Sequence, residues 1–417
     1  MAEMQIAVET EQQPEQPGAP DVLVGVAGSV SSDDFRIRAE QIAAELRSGT
    51  GALRIVFACP GPLPEPPPAS GESDGPPPTT VVSYQPPPSG AEFWSDVSAN
   101  QRAVLALAAE INARACIVLG SDLAALQAQP IRLLTYAVLE RQCALAMPLY
   151  PAGKYDGLIN TGILSPLHRA LYGKRVRFPV TYDFAASGAM CAHLARSEPR
   201  PESSHNGLLW PVAVAATQSP QSSIGQVHLD VHHQVVTAGL DLSAVLGQLA
   251  GSLFHEMEMD AAHWQRVRGS QAAPAWGSPP ADEPGGEPID PQPMLDSFLL
   301  GSKNLDEVWR LVLPPNTLLE LRRLTRLAPD QFHMPDELWA GIVYDFALAW
   351  RLRTISRVHL LGALTPLYLG WVASYVREVA GLTRAAAEQR VELLARAWEM
   401  KKPYLLSRWR WPDRFNP

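Results

Sequence analysis

The stretch Val118 to Leu126, VLGSDLAAL, follows an apolar run and sets Asp122 just beyond an expected strand end. Two carboxylates at i and i+2 in such a place point to the same side of an extended chain. Together they can hold a hard divalent cation, Mg or Mn, which can bridge the oxygens of a diphosphate and neutralise charge on it as it departs. Here position 120 is glycine, so Asp122 is the single acid of the pair. The plain alternative is a solvated turn acid at the polar end of a buried strand.

Two other stretches carry chemistry-bearing residues. HEMEMDAAH, His255 to His263, opens like a zinc-protease helix, but Met259 stands where the second histidine is needed. Amphipathic packing of Leu253, Met257 and Trp264 accounts for it. Near the C-terminus Lys401, Lys402, Arg408 and Arg410 alternate with Trp398, Tyr404, Trp409 and Trp411. That mix suits either an anionic membrane surface or a closing segment with packed rings and solvated charges.

Bulk properties bound what these residues can serve. The chain has 417 residues, 46% of them hydrophobic and 18% charged, enough for a substantial core. Its net charge is −9 and its sequence pI about 5.6, so it has no electrostatic footprint for nucleic acid. The start, MAEMQIAVETEQQPEQPGAPD, is polar, acidic and proline-bearing, and reads as a disordered tail over residues 1–20 and not a signal peptide. The apolar run Leu360 to Val376 is interrupted by Thr365 and Pro366 and falls short of a spanning helix, so it is expected to be a buried helix. Cys59, Cys116, Cys143 and Cys191 are widely spaced, which fits reduced core thiols in a cytoplasmic protein.

The elements that must position the site are legible in outline. DVLVGVAG, LRIVFA and ACIVLG read as buried strands, and helical periods lie between them: Phe35, Ala39, Ile42 and Leu46, then Val104, Leu107, Ala108 and Ile111. This alternation predicts an α/β fold with a parallel sheet, whose ligands bind beyond the strand carboxyl ends. Residues 60–90 form a proline and glycine insertion, expected to be a mobile surface loop. The α/β domain spans 21–268, a linker rich in Pro, Gly and acid spans 269–293, and residues 294–417 carry long helical periods, an all-helical C-terminal domain.

From residue 118 onward the order and spacing of segments resembles one family. The matching pieces are Lys154-Tyr155-Asp156-Gly157, Leu171-Tyr172-Gly173-Lys174-Arg175 and Pro179-Val180-Thr181-Tyr182-Asp183-Phe184, followed by FHMPDELWAGIVYDFALAW, LTPLYLGWVASYV and WEMKKPYLLSRWRW. The chain is similar to bacterial family-2-like GT-A glycosyltransferases related to mannosylglycerate and glucosylglycerate synthases, over roughly residues 115 to 411. The resemblance implies a Rossmann-like GT-A domain. It also implies hexose transfer from a nucleotide diphosphate sugar to a small polar acceptor such as glycerate. Its site would use Asp122 and His233 on the cation, Lys154 with Asp156 at a phosphate or sugar, Asp183 as the catalytic residue beside the sugar, and Arg175 or Arg177 toward an anionic acceptor.

The departures bear on the same chemistry. Gly120 replaces the first acid, Thr181-Tyr182 replaces a Gly-Gly, and Leu209 stands at the acceptor-side acid. SDVSANQR occupies the place of a Gly-Lys-Gly loop, and Gly28-Ser29-Val30-Ser31 the place of the nucleotide turn. Few groups remain to stabilise a departing diphosphate, usually the largest catalytic term. The resemblance therefore leaves a second reading open: a non-catalytic relative that binds or scaffolds. Each site residue also has an ordinary role: a turn acid at 122, a helix-start acid at 183, a surface ion pair at 154 and 156, solvated arginines, a strand histidine at 233. The amphipathic helices permit a homo-oligomer.

Overall fold

The computed structural model describes residues 19–27, 32–47, 53–62, 79–85, 93–120, 126–197, 208–218, 223–230, 241–282 and 288–412. Asp122, His233 and most of the N-terminal tail and the proline-rich insertion lie outside them.

The first half alternates strand and helix. It runs β1 (Val22–Val26), α1 (Ser32–Arg47), β2 (Ile55–Pro60), β3 (Thr80–Tyr84), α2 (Phe93–Glu110), β4 (Ala115–Leu119), α3 (Ala128–Leu139) and β5 (Leu145–Leu149). A π-helical turn (Asn160–Leu164) leads into α4 (Ser165–Tyr172), then β6 (Lys174–Arg175), β7 (Phe184–Ser187), α5 (Gly188–Arg196), α6 (Pro211–Gln218), β8 (Ile224–His228), α7 (Leu242–Met259) and α8 (Ala261–Trp264). After β9 (Gln271–Ala272) and β10 (Ala275–Trp276) the chain is helical: α9 (Gln292–Asn304), α10 (Asp306–Val312), α11 (Pro315–Leu324), α12 (Asp336–Leu352), α13 (Arg357–Glu378) and α14 (Arg384–Arg410). The fold is a mixed α/β sheet followed by a helical C-terminal region, as the sequence pattern predicts.

Eight strands form one sheet in the order β10-β8-β5-β7-β4-β1-β2-β3. Neighbours pair in parallel except β7, which runs antiparallel to both β4 and β5. Every residue of β1 and β4 is buried, because helices cover both faces. Two apolar layers result, one around Phe35, Phe57, Ile131 and Leu134, the other around Val104, Leu105, Phe184 and Val212. From β1 the chain winds outward to β2 and β3, then returns to build β4 on the other side. The crevice beyond the β1 and β4 carboxyl ends is therefore a switch point, where such sheets place ligands.

Some elements depart from the sequence pattern. β3 forms inside the proline-rich stretch as an edge strand, which proline-flanked chain tolerates. The stretch 269–293 supplies β9, paired with β6, and β10, which extends the main sheet beside β8. Residues Phe184 to Ser187 are strand, and the helix begins only after Ser187, whose hydroxyl accepts the Met190 amide. Leu360 to Val376 lies in α13, well buried in the core, and among the described residues no helix is long and apolar enough to cross a membrane.

The C-terminal helices share one core with the α/β half. A single apolar cluster runs from Trp94 through Leu167, Trp210 and Phe254 to Trp339, Trp371 and Trp398. Gly162 in the π-helical turn is a point of close approach: a Cβ there would lie 2.3 Å from the Trp371 ring, and its carbonyl accepts Trp339 Nε1–H at 2.7 Å. Charged groups bridge the same boundary. Arg169 of α4 pairs with Glu392 at 2.5 Å and Glu399 at 2.8 Å, both on α14, and Arg177 pairs with Glu388 at 3.0 Å. In α14, Lys402 and Arg408 are buried and not solvated: Lys402 donates to Val267 O at 3.0 Å, and Arg408 to Asp345 at 3.1 Å.

One buried group makes stability depend on pH. His168 of α4 is 1% exposed, its ring 4.5 Å from Tyr172 and stacked on Trp210, and neither ring nitrogen has a partner. Burial pushes its pKa from 6.5 down to about 3. The unfolded chain takes up this proton near pH 6.5 and the folded chain does not. Folding stability is therefore intact above that value and falls as pH drops toward 3, by up to about 1.4 kcal/mol per unit. Urea unfolding of His168→Phe should give a visibly shallower loss of stability between pH 6.5 and 3.5. A slope equal to that of the parent chain would remove His168 as its source.

Candidate functional site

Beyond the carboxyl end of β5 the chain enters Tyr150 to Asn160, and before β7 it passes Phe178 to Tyr182. These two segments wall a cleft of about 500 Å³, closed by Trp94 of α2, Leu242, Val245 and Leu249 of α7, and Tyr368 of α13. Aromatic rings dominate: Trp94 stacks on Tyr182 at 5.0 Å, and Phe178 meets Tyr150 edge-on at 5.2 Å. Among its described lining residues Asp156 is the single carboxylate, and there is no lysine, arginine or histidine.

Asp183 joins this cleft to the switch-point crevice. It is completely buried, and its Oδ1 accepts the Gly120 amide at 2.8 Å, directly at the exit of β4. Its Oδ2 accepts the Tyr150 hydroxyl at 2.7 Å, and that hydroxyl lies 2.5 Å from Thr181 Oγ1. The glycine at position 120 thus has a carboxylate beside it, delivered from β7's approach. Gln101 of α2 fixes the same approach by donating to the Thr181 and Tyr182 carbonyls at 2.8 and 3.3 Å. Burial, with the Asp183 charge adding to it, pushes the Tyr150 phenol well above its ordinary range, so Tyr150 stays a neutral donor.

The other residues singled out in the sequence are dispersed. Asp156 lines the cleft, and its Oδ2 accepts the Gly153 amide at 2.8 Å. Lys154 is 6% exposed and donates to Ala380 O at 2.7 Å and Leu382 O at 3.1 Å, beyond the C-terminal end of α13. Arg175 lies on the small β6–β9 sheet and donates to Ser270 Oγ at 2.9 Å. Asp122 and His233 belong to segments outside the described residues, and among the described residues no group of three or more His, Cys, Asp or Glu is placed to hold a metal. Leu209 is buried in the core.

Sequence reasoning missed Trp94, Tyr150, Asn160 and the positive part Tyr182 plays. Tyr182 offered a signal, a ring where glycine was expected. Trp94 and Tyr150 offered none, since only the fold brings them beside residues 181 and 183.

No protein-family model and no curated protein matches this chain. Structures of glucosyl-3-phosphoglycerate synthase from Mycobacterium tuberculosis overlay on part of it. The complex with phosphoglyceric acid gives a TM-score of 0.38 at 15% identity, covering 57% of this chain and 79% of that one. A second structure of that protein gives 0.36 at 14%, over 57% and 80%. The complex with Mn2+, UDP-glucose and phosphoglyceric acid gives 0.35 at 15%, over 57% and 79%. The overlay is loose, and the site stands on its own geometry.

Asp183→Asn tests the hub. An amide cannot accept from both Gly120 and Tyr150 with its nitrogen in place of one oxygen, and a buried donor is left unpaired. Denaturant melts should show a loss of roughly 1–3 kcal/mol. Unchanged stability would mean that these bonds do not hold the β4 exit.

Proposed function

We propose that this chain is a glycosyltransferase-like protein of the GT-A type. In this reading a nucleotide diphosphate sugar lies across the crevice beyond β1 and β4, and a small polar acceptor occupies the aromatic cleft beyond β5. The observation that carries the proposal is the Asp183 hub, which touches Gly120 at the crevice and Tyr150 at the cleft wall. Donor and acceptor sides would thus meet across one buried carboxylate, as transfer between them requires.

Asp122, leaving the exit of β4, would hold Mg or Mn together with His233, and the cation would neutralise the departing diphosphate. Asp183 acts here as a positioning residue: with both oxygens occupied it sets the approach of β7 and the orientation of Tyr150. Asp156 is the carboxylate that lines the acceptor side. Lys154 and Arg175 serve the fold in this reading, one at the end of α13 and the other on the β6–β9 sheet.

A second reading, a non-catalytic relative that binds or scaffolds, makes a different use of one residue. The lysine expected at the diphosphate donates instead to main-chain carbonyls of the helical region. Titration calorimetry with UDP-glucose and GDP-mannose, with and without Mn2+, separates the two. Metal-dependent binding that disappears in Asp122→Ala is the outcome expected for a transferase. Absence of binding to both sugar nucleotides would sink that reading and leave the second.

A further inference from the structure

The alternating charges and rings near the C-terminus divide in the folded chain. Trp398, Lys402, Arg408 and Trp409 are buried, whereas Arg410 and Trp411 are exposed, Trp411 by 74%. Arg410, the last residue of α14, lines a concavity of about 430 Å³ together with Ala262 of α8 and Gln265, Arg266 and Arg268 of the turn that follows. It shares no lining residue with the aromatic cleft. Three guanidinium groups thus line one space, on a chain whose net charge is −9. Among the described residues the lining holds no carboxylate, and none pairs with Arg266, Arg268 or Arg410.

The arrangement is fixed from beneath. Trp264 of α8 is fully buried and stands edge-on to Trp409 of α14 at 5.1 Å. Lys402 donates to the Val267 carbonyl at 3.0 Å, and Arg268 Nη1 donates to Gln265 O at 2.9 Å. Val267 packs against Gly173, where an added Cβ would lie 2.8 Å from it, and Arg266 and Arg268 on either side are left exposed. Like charges held this closely repel. Burial, with the Arg268 charge adding to it, lowers the pKa of the Lys402 ammonium to about 8.

We propose that this concavity is a binding site for a phosphate monoester or diphosphate group, carried by a soluble compound or by a lipid headgroup. Phosphate oxygens only accept and guanidinium forks only donate, two N–H groups at a time. Forks from three chain positions can meet several oxygens at once, whereas a monocarboxylate offers two oxygens and a single charge. An uncharged ligand would leave the three positive charges together without compensation. The site uses none of the residues assigned to sugar transfer.

Pyrophosphate is titrated into the full chain by calorimetry with EDTA present, so that no cation-dependent binding at the sheet crevice contributes. Phosphatidylcholine vesicles with and without phosphatidic acid, read by flotation, form the lipid arm. At least one of the two phosphate probes should bind, and more weakly as salt is raised. Arg266→Gln/Arg268→Gln/Arg410→Gln should weaken that binding about tenfold or more, with the melting temperature unchanged because all three residues are exposed. The matched set Arg322→Gln/Arg323→Gln/Arg326→Gln removes the same formal charge at α11 and just beyond it, and should leave binding within about twofold. Trp411→Ala separates the two sources: it weakens vesicle binding if the exposed indole enters a lipid interface and leaves pyrophosphate binding untouched. The proposal is overturned if neither probe binds, if acetate binds as well as pyrophosphate, if the concavity set retains full binding, or if the α11 set weakens it equally.

Discussion

Everything in this molecule depends on how residues 150–183 are held between the sheet and the C-terminal helices. From that one segment Lys154 reaches the carbonyls beyond α13, Arg169 forks onto Glu392 and Glu399, and Arg177 takes Glu388. The Arg169 side chain is 5% exposed, so its charge is tolerable only with those partners in place. Apolar packing around Gly162 and Trp371 brings the two halves together without direction. The charged contacts add the register in which α14 lies along α4, since each guanidinium needs its carboxylates at one spacing.

Because the segment is clamped on its outer side, its inner side is free to form the cleft. Tyr150, Tyr155, Asp156 and Asn160 face Thr181 and Tyr182 across a space that the helices roof over with Tyr368. Asp183 then ties the segment's end to β4. The same residues that would look catalytic by type, a lysine, two arginines and a buried acid, are largely occupied with this construction. Among the described residues the cleft lining is aromatic, amide and phenolic, with a single carboxylate.

Much of the architecture was legible because burial on both faces writes itself into parallel strands. DVLVGVAG, LRIVFA and ACIVLG could hardly be anything else, and the helical periods after residue 294 carry their amphipathic spacing openly. Short or compromised elements were not legible. β3 hides among prolines, β5 contains one, and β7 is a four-residue strand, Phe184 followed by three small residues, whose pairing on both sides substitutes for propensity. Strand β10 arises from a stretch whose composition says linker, and only its docking beside β8 makes it sheet.

The sequence by itself determined the alternation of elements and the change to helices near residue 290, and it displays some glycines that the chain's turns require. Gly173 is a case in point: φ of +66° at the end of α4 is a demand that glycine meets and the sequence displays. Tertiary structure alone decided what the charged residues do. That Lys154 reaches the carbonyl of Ala380 and Asp183 the Gly120 amide depends on partners more than 60 positions away. A side chain's type fixes what it can bond to; which group arrives at 3 Å is settled by the packing of elements that share no local sequence signal.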